Sequence, residues 1–235
     1  MTPITALGSR YGIQGALGRS VKRAGSANTW WDLNGTLSSC IVAYQAKGAA
    51  SYAASKVNLA NAGTYNATDD GTNYPAWNTS TGWTFDGSND YLNTNIKVGS
   101  TSWSYIIKFS NSGADYYRRW WGARDGASGN QVGLENRAGN TSFYVMNGSD
   151  AVNQTSITAD DLSAGWLAIC ANKFYAASGV KNNNLTQGTL PDLFLYIGKA
   201  NNLNPKSIAV QAFAIYNEEI SAANIASIGA AMAAL

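Results

Sequence analysis

Two short stretches carry the residues whose types and spacing could do chemistry. In Asp86-Gly87-Ser88-Asn89-Asp90 two carboxylates stand four residues apart. Calcium takes carboxylate and carbonyl oxygens, so Asp86 and Asp90 are its candidate ligands. The competing reading is an Asx turn, in which Asp and Asn side chains bond their own backbone. With only two carboxylates at hand the turn is preferred, and no cofactor is expected. The second stretch is Tyr116-Tyr117-Arg118-Arg119-Trp120-Trp121. In a strand, neighbouring Trp120 and Trp121 point to opposite faces. One can fill a core; the other is exposed, covered, or used as a platform for sugar stacking or subunit contact. Arg118 with Trp120, and Arg119 with Trp121, are spaced for cation–π pairs.

What is missing is equally informative. The 235-residue chain has no histidine, which removes Ser-His-Asp and Cys-His nucleophiles, His-ligated zinc and the usual base near neutral pH. A glycosidase ordinarily needs two carboxylates flanking a cleft, about 5–10 Å apart. The only glutamates are Glu135, Glu218 and Glu219. Asp-based pairs stay open, but the expectation is that the chain is not an enzyme.

The elements that must position these residues are strands. Charged residues make up only 13% of the chain, and Gly, Ser, Thr and Asn abound, the composition of short strands joined by tight turns. Strand-like runs occupy residues 40–45, 82–86, 101–110, 116–122, 131–135, 141–147, 165–171, 193–198 and 207–216. In 101–110, Trp103, Tyr105, Ile107 and Phe109 share one face and Ser104, Lys108 and Ser110 the other. Residues 166–171 are apolar on both faces and predict a central, doubly covered strand. One helix closes the chain, capped by Ser221, with Ile225, Ile228, Met232 and Leu235 on one side and Ile220 stapled to Ile225. Cys40 and Cys170 lie in apolar runs and read as buried free thiols.

Residues 1–37 show no sustained period and read as an extended arm before a body spanning 38–235. Arg10, Arg19, Lys22 and Arg23 precede the first acidic residue, Asp32, leaving twelve basic against fourteen acidic residues after it. Such an arm can bind nucleic acid or dock on an acidic protein surface; four charges are thin for nucleic acid, so docking is preferred. Trp30 and Trp31 join those four as anchoring candidates. The start lacks a charged segment followed by an apolar one, so no signal peptide is expected, and no run of about 18 apolar residues predicts membrane insertion.

Gly82-Trp-Thr-Phe-Asp-Gly-Ser-Asn-Asp-Tyr-Leu-Asn-Thr94 resembles the F-D-G-S-x-D-Y signature of laminin-G-like, concanavalin-type jelly rolls. Ser102–Ile106, Phe143–Gly148 and Ala212–Ser221 resemble further family segments in the expected order, with Asn224-Ile225 where the family tail carries Glu-Ile. The E-x-D-x-x-E run of the related glycosidases is missing. The resemblance implies an all-β, two-sheet antiparallel sandwich. The opening, Ile41–Ser51 with Lys56–Asn61 and Gly63–Thr68, is similar to laminin-G-like proteins of tailed bacteriophages. That likeness implies a virion surface protein, such as a decoration, head-fibre or tail-fibre component. It would be assembled in the host cytoplasm, with other virion proteins and copies of itself as partners, and would adhere to host-surface glycan. The alternative is a stand-alone carbohydrate-binding module.

Overall fold

The computed structural model describes residues 29–112, 118–126, 129–137, 141–148, 153–200 and 206–235. Its strands are β1 (Cys40–Gln45), β2 (Ala76–Asn78), β3 (Gly82–Asp86), β4 (Leu92–Lys97), β5 (Ser104–Ser112), β6 (Arg118–Arg124) and β7 (Gln131–Asn136). They continue with β8 (Ser142–Asn147), β9 (Asn153–Ser156), β10 (Trp166–Cys170), β11 (Lys173–Ala176), β12 (Gly179–Asn182), β13 (Phe194–Ile197) and β14 (Ser207–Tyr216). Among the described residues three α-helices accompany them: α1 (Tyr52–Ser55), α2 (Ala159–Ala164) and α3 (Ala222–Ala233).

One sheet runs β12-β11-β10-β5-β14-β3-β2, with β1 pairing the second half of β14; the other runs β4-β13-β6-β7-β8-β9. All pairings between named strands are antiparallel. The protein is therefore an all-β, two-sheet antiparallel jelly-roll sandwich.

Alternation builds the main core between the sheets. Tyr105, Ile107 and Phe109 of β5 meet Leu167 and Ile169 of β10 and Phe213 and Ile215 of β14, with Val132, Leu134, Phe143 and Val145 opposite. Each fully buried Leu, Ile or Phe is worth about 1.5–3 kcal/mol relative to exposure.

The opposite face of the eight-stranded sheet has its own cover. Ile106, Trp166, Ala168, Cys170, Ala212, Ala214 and Tyr216 pack under Ile225, Ile228 and Met232 of α3, together with Trp30 and Ile220. Strand β10 is thus covered on both faces, as its two-sided apolar run requires. The supposedly polar face of β5 is covered as well: Ser104 Oγ donates to Glu218 O (2.7 Å) and accepts from Ile220 N (3.2 Å), pinning the entry to α3. Ser221 Oγ caps that helix by accepting from Asn224 N. Gly229 lets α3 approach this closely, because a Cβ there would fall 2.3 Å from Cε2 of Trp166. Cys40 and Cys170 are free and buried, and burial pushes the Cys40 thiol up to about 12.

Two expectations change. Residues 33–38 do not extend as part of an arm but form a 3-10 turn that packs against α3. Trp120 and Trp121 do not point to opposite faces. The β6–β7 register slips between Arg119 and Trp121, a bulge that turns both indoles inward, 0% and 1% exposed. Trp120 packs on Phe109 and Phe143, and Trp121 stacks on Tyr105 at 4.7 Å.

Candidate functional site

Three loops meet at one end of the sandwich. The first, between β1 and β2, is held by fully buried Asn58. Its Nδ2 donates to Ile41 O (2.8 Å) and Thr64 O (2.9 Å), while Oδ1 accepts from Ala43 N (3.0 Å) and Ala60 N (3.1 Å). This ties the loop to β1, and the Thr68–Asn93 bridge ties it to β4. Between them, α1 projects Tyr52, whose ring lies 5.8 Å from that of Tyr74. The loop then turns on two aspartates. Asp69 Oδ1 accepts from Gly71 N, and Asp70 Oδ1 from Thr72 N and Asn73 N.

The second loop joins β3 to β4 and contains Asp86 and Asp90. Asp86 Oδ1 accepts from Ser88 N (2.7 Å), and Asp90 Oδ2 from Asp86 N (3.0 Å). These are turn bonds. Among the described residues no three of His, Cys, Asp and Glu gather to hold a metal ion, so a calcium site at Asp86 and Asp90 has no further carboxylate ligand there. The third loop leaves β13 and carries Lys199 beside Tyr196.

Side chains join the loops. Asn89 Nδ2 donates to Asn73 Oδ1, and Tyr91 OH to Asp70 Oδ2 (3.1 Å). Tyr52 OH donates to Asp69 Oδ2 (2.8 Å), which also takes Lys56 Nζ (2.6 Å). The rings of Tyr91 and Tyr196 meet edge to face at 5.6 Å, with Lys199 Nζ 3.2 Å from the centre of Tyr91 and 5.1 Å from that of Tyr196. Tyr74 is 48% exposed; Tyr52, Tyr91 and Tyr196 are half-buried.

The electrostatics follow from these partners. Burial acts against the Asp69 carboxylate, but Lys56, Tyr52 and the Gly71 amide outweigh it and hold its pKa below the ordinary value. The Asn73 and Thr72 donors hold Asp70 lower still. Burial, and then the aspartates they bond, push the Tyr52 and Tyr91 hydroxyls up, so both remain protonated donors. Burial lowers Lys199. The arrangement offers apolar ring faces beside oriented carboxylate and amide oxygens, the combination that stacks a sugar ring and fixes its hydroxyls.

Of the residues singled out from sequence, most of those described lie elsewhere. Arg10, Arg19, Lys22, Arg23, Tyr116 and Tyr117 fall outside the described residues. Trp120 and Trp121, buried in the core, present no ring to a sugar or a subunit, which corrects the expected platform. For Arg119 the expected cation–π pair gives way to an ion pair. Arg119 is 4% exposed and pairs through Nε with Glu135 Oε2 at 2.7 Å, while the Arg118 amide bonds Asn136 Oδ1. Trp30, 5% exposed, donates from Nε1 to Gln45 Oε1 (2.9 Å), and Trp31 O accepts from Tyr216 OH (3.1 Å). Both serve the chain's own outer layer. Among the described candidates, only Asp86 and Asp90 reach the cluster. Sequence reasoning missed Tyr52, Lys56, Asp69, Asp70, Asn73, Tyr74, Tyr91, Tyr196 and Lys199. A signal existed, since Asp69-Asp70-Gly71-Thr72-Asn73-Tyr74 echoes the composition of Asp86-Gly87-Ser88-Asn89-Asp90-Tyr91.

No protein-family model and no curated protein matches the chain. Solved structures do. Trypanosoma rangeli sialidase in complex with 2,3-difluorosialic acid, a covalent intermediate, is 13% identical with a TM-score of 0.59, over 83% of this chain and 33% of that one. The same sialidase with sialic acid gives 13% and 0.56 over the same shares. The receptor-binding domain of botulinum neurotoxin D gives 17% and 0.51, over 83% of this chain and 53% of that one. The chain thus spans about a third of the sialidase chains it matches. These neighbours overturn the expectation that the chain is not an enzyme. Sialidases are enzymes, and some glycosidases use a tyrosine nucleophile, so a chain without histidine or a glutamate pair has not lost every hydrolytic route. At such identities the likeness establishes the fold alone, a two-sheet jelly-roll sandwich shared with sialidases and a toxin's receptor-binding domain.

Proposed function

We propose that this protein is a lectin-like carbohydrate-binding module whose ligand sits on the tyrosine–aspartate loop cluster. The observation that carries the reading is the pairing of exposed Tyr74 and half-buried Tyr52, Tyr91 and Tyr196 with carboxylate and amide oxygens already oriented by their own turns. Such preorganisation lowers the ordering cost of binding. The neighbours support it at the level of fold, since one holds sialic acid and another is a receptor-binding domain. The test is a glycan array followed by calorimetry on the strongest binder. Tyr74→Ala and Tyr91→Ala should each weaken binding about tenfold or more, equivalent to about 1.4 kcal/mol. A flat array across diverse glycans sinks the reading.

A second reading sets the sandwich on a virion surface, adhering to host glycan. It is supported by sequence: the basic residues Arg10, Arg19, Lys22 and Arg23 and the phage-like opening at 41–68. Because Trp30 and Trp31 are committed to the body, this reading rests its anchor on Arg10, Arg19, Lys22 and Arg23. Chains lacking those residues should fail to co-purify with particles; full retention would discard this reading.

A further inference from the structure

Resting on the sugar-binding reading, we infer that the loop cluster takes uncharged sugars and turns away carboxylated ones. The reason lies in how its charges are used. Four carboxylates, Asp69, Asp70, Asp86 and Asp90, stand in the three loops; of the lysines there, Lys56 and Lys199 touch the cluster, while Lys47 follows β1 directly, its amide bonded to Gln211 O of β14. Lys56 is consumed twice: it pairs with Asp69 at 2.6 Å and lies 4.3 Å from the ring centre of Tyr52. Lys199 is drawn against the faces of Tyr91 and Tyr196. Lys206, on the same connection to β14, is fully buried and out of a ligand's reach. Among the described residues, each ammonium touching the cluster is thus already engaged, Lys56 by a carboxylate and Lys199 by two ring faces.

The carboxylates, by contrast, keep acceptor capacity. Asp86 engages Ser88 and Asn89 through Oδ1, and Asp90 engages the Asp86 amide through Oδ2. Each ionised carboxyl has two oxygens and about four acceptor positions, so Asp86 Oδ2 and Asp90 Oδ1 remain suited to sugar hydroxyl donors. A sugar carboxylate stacked on Tyr91 would lie near Asp70, which accepts the Tyr91 hydroxyl, and would meet it as like charge. Like-charge juxtaposition at an interface is a strong discriminator, and it screens with salt. The sialic acid held by one structural neighbour is itself a carboxylated sugar, so this cluster would differ from that neighbour in what it accepts.

The experiment compares probes that differ only in charge: sialyllactose and its methyl ester, and oligogalacturonate and its methyl ester. Their affinities are measured by calorimetry on the whole chain at about 0.05 M and about 0.5 M NaCl, spanning strong and weak screening. The neutral member of a pair should bind about tenfold tighter or more at low salt, and the gap should close at high salt. Asp70→Asn and Asp90→Asn should each narrow the neutral-to-acid ratio. If the acid form binds as tightly as its ester, and Tyr91→Ala abolishes both, the charge inference falls and the site stands. If neither form binds and the glycan array is also flat, the site reading falls and takes this inference with it.

Discussion

Arg119 can be assigned to structure rather than to binding by a single change, Glu135→Gln. In the folded protein the Arg119 side chain is 5% exposed and that of Glu135 8%. The guanidinium spends Nε on Glu135 Oε2 (2.7 Å) and NH2 on Gln131 Oε1 (2.6 Å), with NH1 3.6 Å from Met146 Sδ. Glu135 Oε1 also takes Arg137 NH2 at 3.0 Å, and Arg137 stacks on Tyr144. Burial, with smaller help from Arg124 and Arg137 and against the pull of Glu135, brings the Arg119 guanidinium down to about 10. Glutamine keeps the shape but removes the only anion among these contacts and turns an acceptor into a donor facing a cation. Breaking a buried pair in this way costs about 3–5 kcal/mol, a large part of the roughly 5–15 kcal/mol that holds a domain folded.

Chemical denaturation followed by tryptophan fluorescence reads the effect, since Trp120 and Trp121 report directly on the core beneath the pair. The midpoint should fall with little change in slope. Arg119→Met combined with Glu135→Leu should cost less than Glu135→Gln alone, because the double change removes both charges instead of orphaning one. A cost for Glu135→Gln below about 1 kcal/mol, the range of an exposed ion pair, would refute the buried-network reasoning and return Arg119 to the surface.

Three further outcomes follow from particular contacts. Gly229→Ala should destabilise on a thermal melt, although alanine raises helix propensity by about 1 kcal/mol, because the added methyl meets the Trp166 ring and overpacking costs about 1–3 kcal/mol. Asp161→Asn should cost about 1–3 kcal/mol near pH 7. Although burial opposes it, the Lys181 ammonium and the Thr158 and Ser178 donors hold the Asp161 carboxyl well below its ordinary value. That contribution is complete above the unfolded value of about 4 and is lost as pH falls through the lower folded value, so the gap between the two proteins should shrink in acid. Asn58→Ala should leave two amides, that of Ala43 buried and that of Ala60 partly so, and two carbonyls without their partner, cost about 2–4 kcal/mol, and speed hydrogen exchange at Ala43 and Ala60.

What was legible in the sequence is what period alone determines. The alternation of β5, the two-sided apolar run of β10 and the capped stripe of α3 all appear where their patterns place them. Strand β4 alternates too, with Leu92, Thr94 and Ile96 inward against Asn93, Asn95 and Lys97, but its four polar residues, one of them inward, hide it in a composition already rich in Asn and Thr. The bulge at Arg119–Trp121 breaks the period-two rule at the one place where a binding platform was read from it. No count along a single strand can see such a bulge, since it is a property of the register with β7. The partner of Arg119 was invisible for the same reason. The loop cluster draws on segments 52–74, 86–91 and 196–199, whose meeting depends on sheet topology; only the composition shared by the two Asp–Asn–Tyr turns hinted that they belong together.

The distribution of cover over the sandwich narrows where a ligand can sit among the described residues. The outer face of the eight-stranded sheet is closed by α3 and by Trp30, whose indole is buried and hydrogen-bonded to Gln45. On the six-stranded sheet, Arg119, Gln131, Glu135 and Met146 are buried and bonded to one another. A ligand arriving there would have to break that network before gaining a contact. The small cavity of about 280 Å³ beside α1 is walled by Gly48, Ala49, Ala50, Ala54 and Leu59, with Gln45 already engaged by Trp30. It therefore has little with which to orient a polar molecule. At the loop end the balance reverses: Tyr74 is exposed, the aspartates are fixed by short turns, and the bonds between loops run through side chains rather than a packed apolar core. A surface so ordered without being buried is where recognition costs the fold least. That is why Tyr74→Ala should weaken sugar binding while leaving the denaturation midpoint close to that of the unmodified chain.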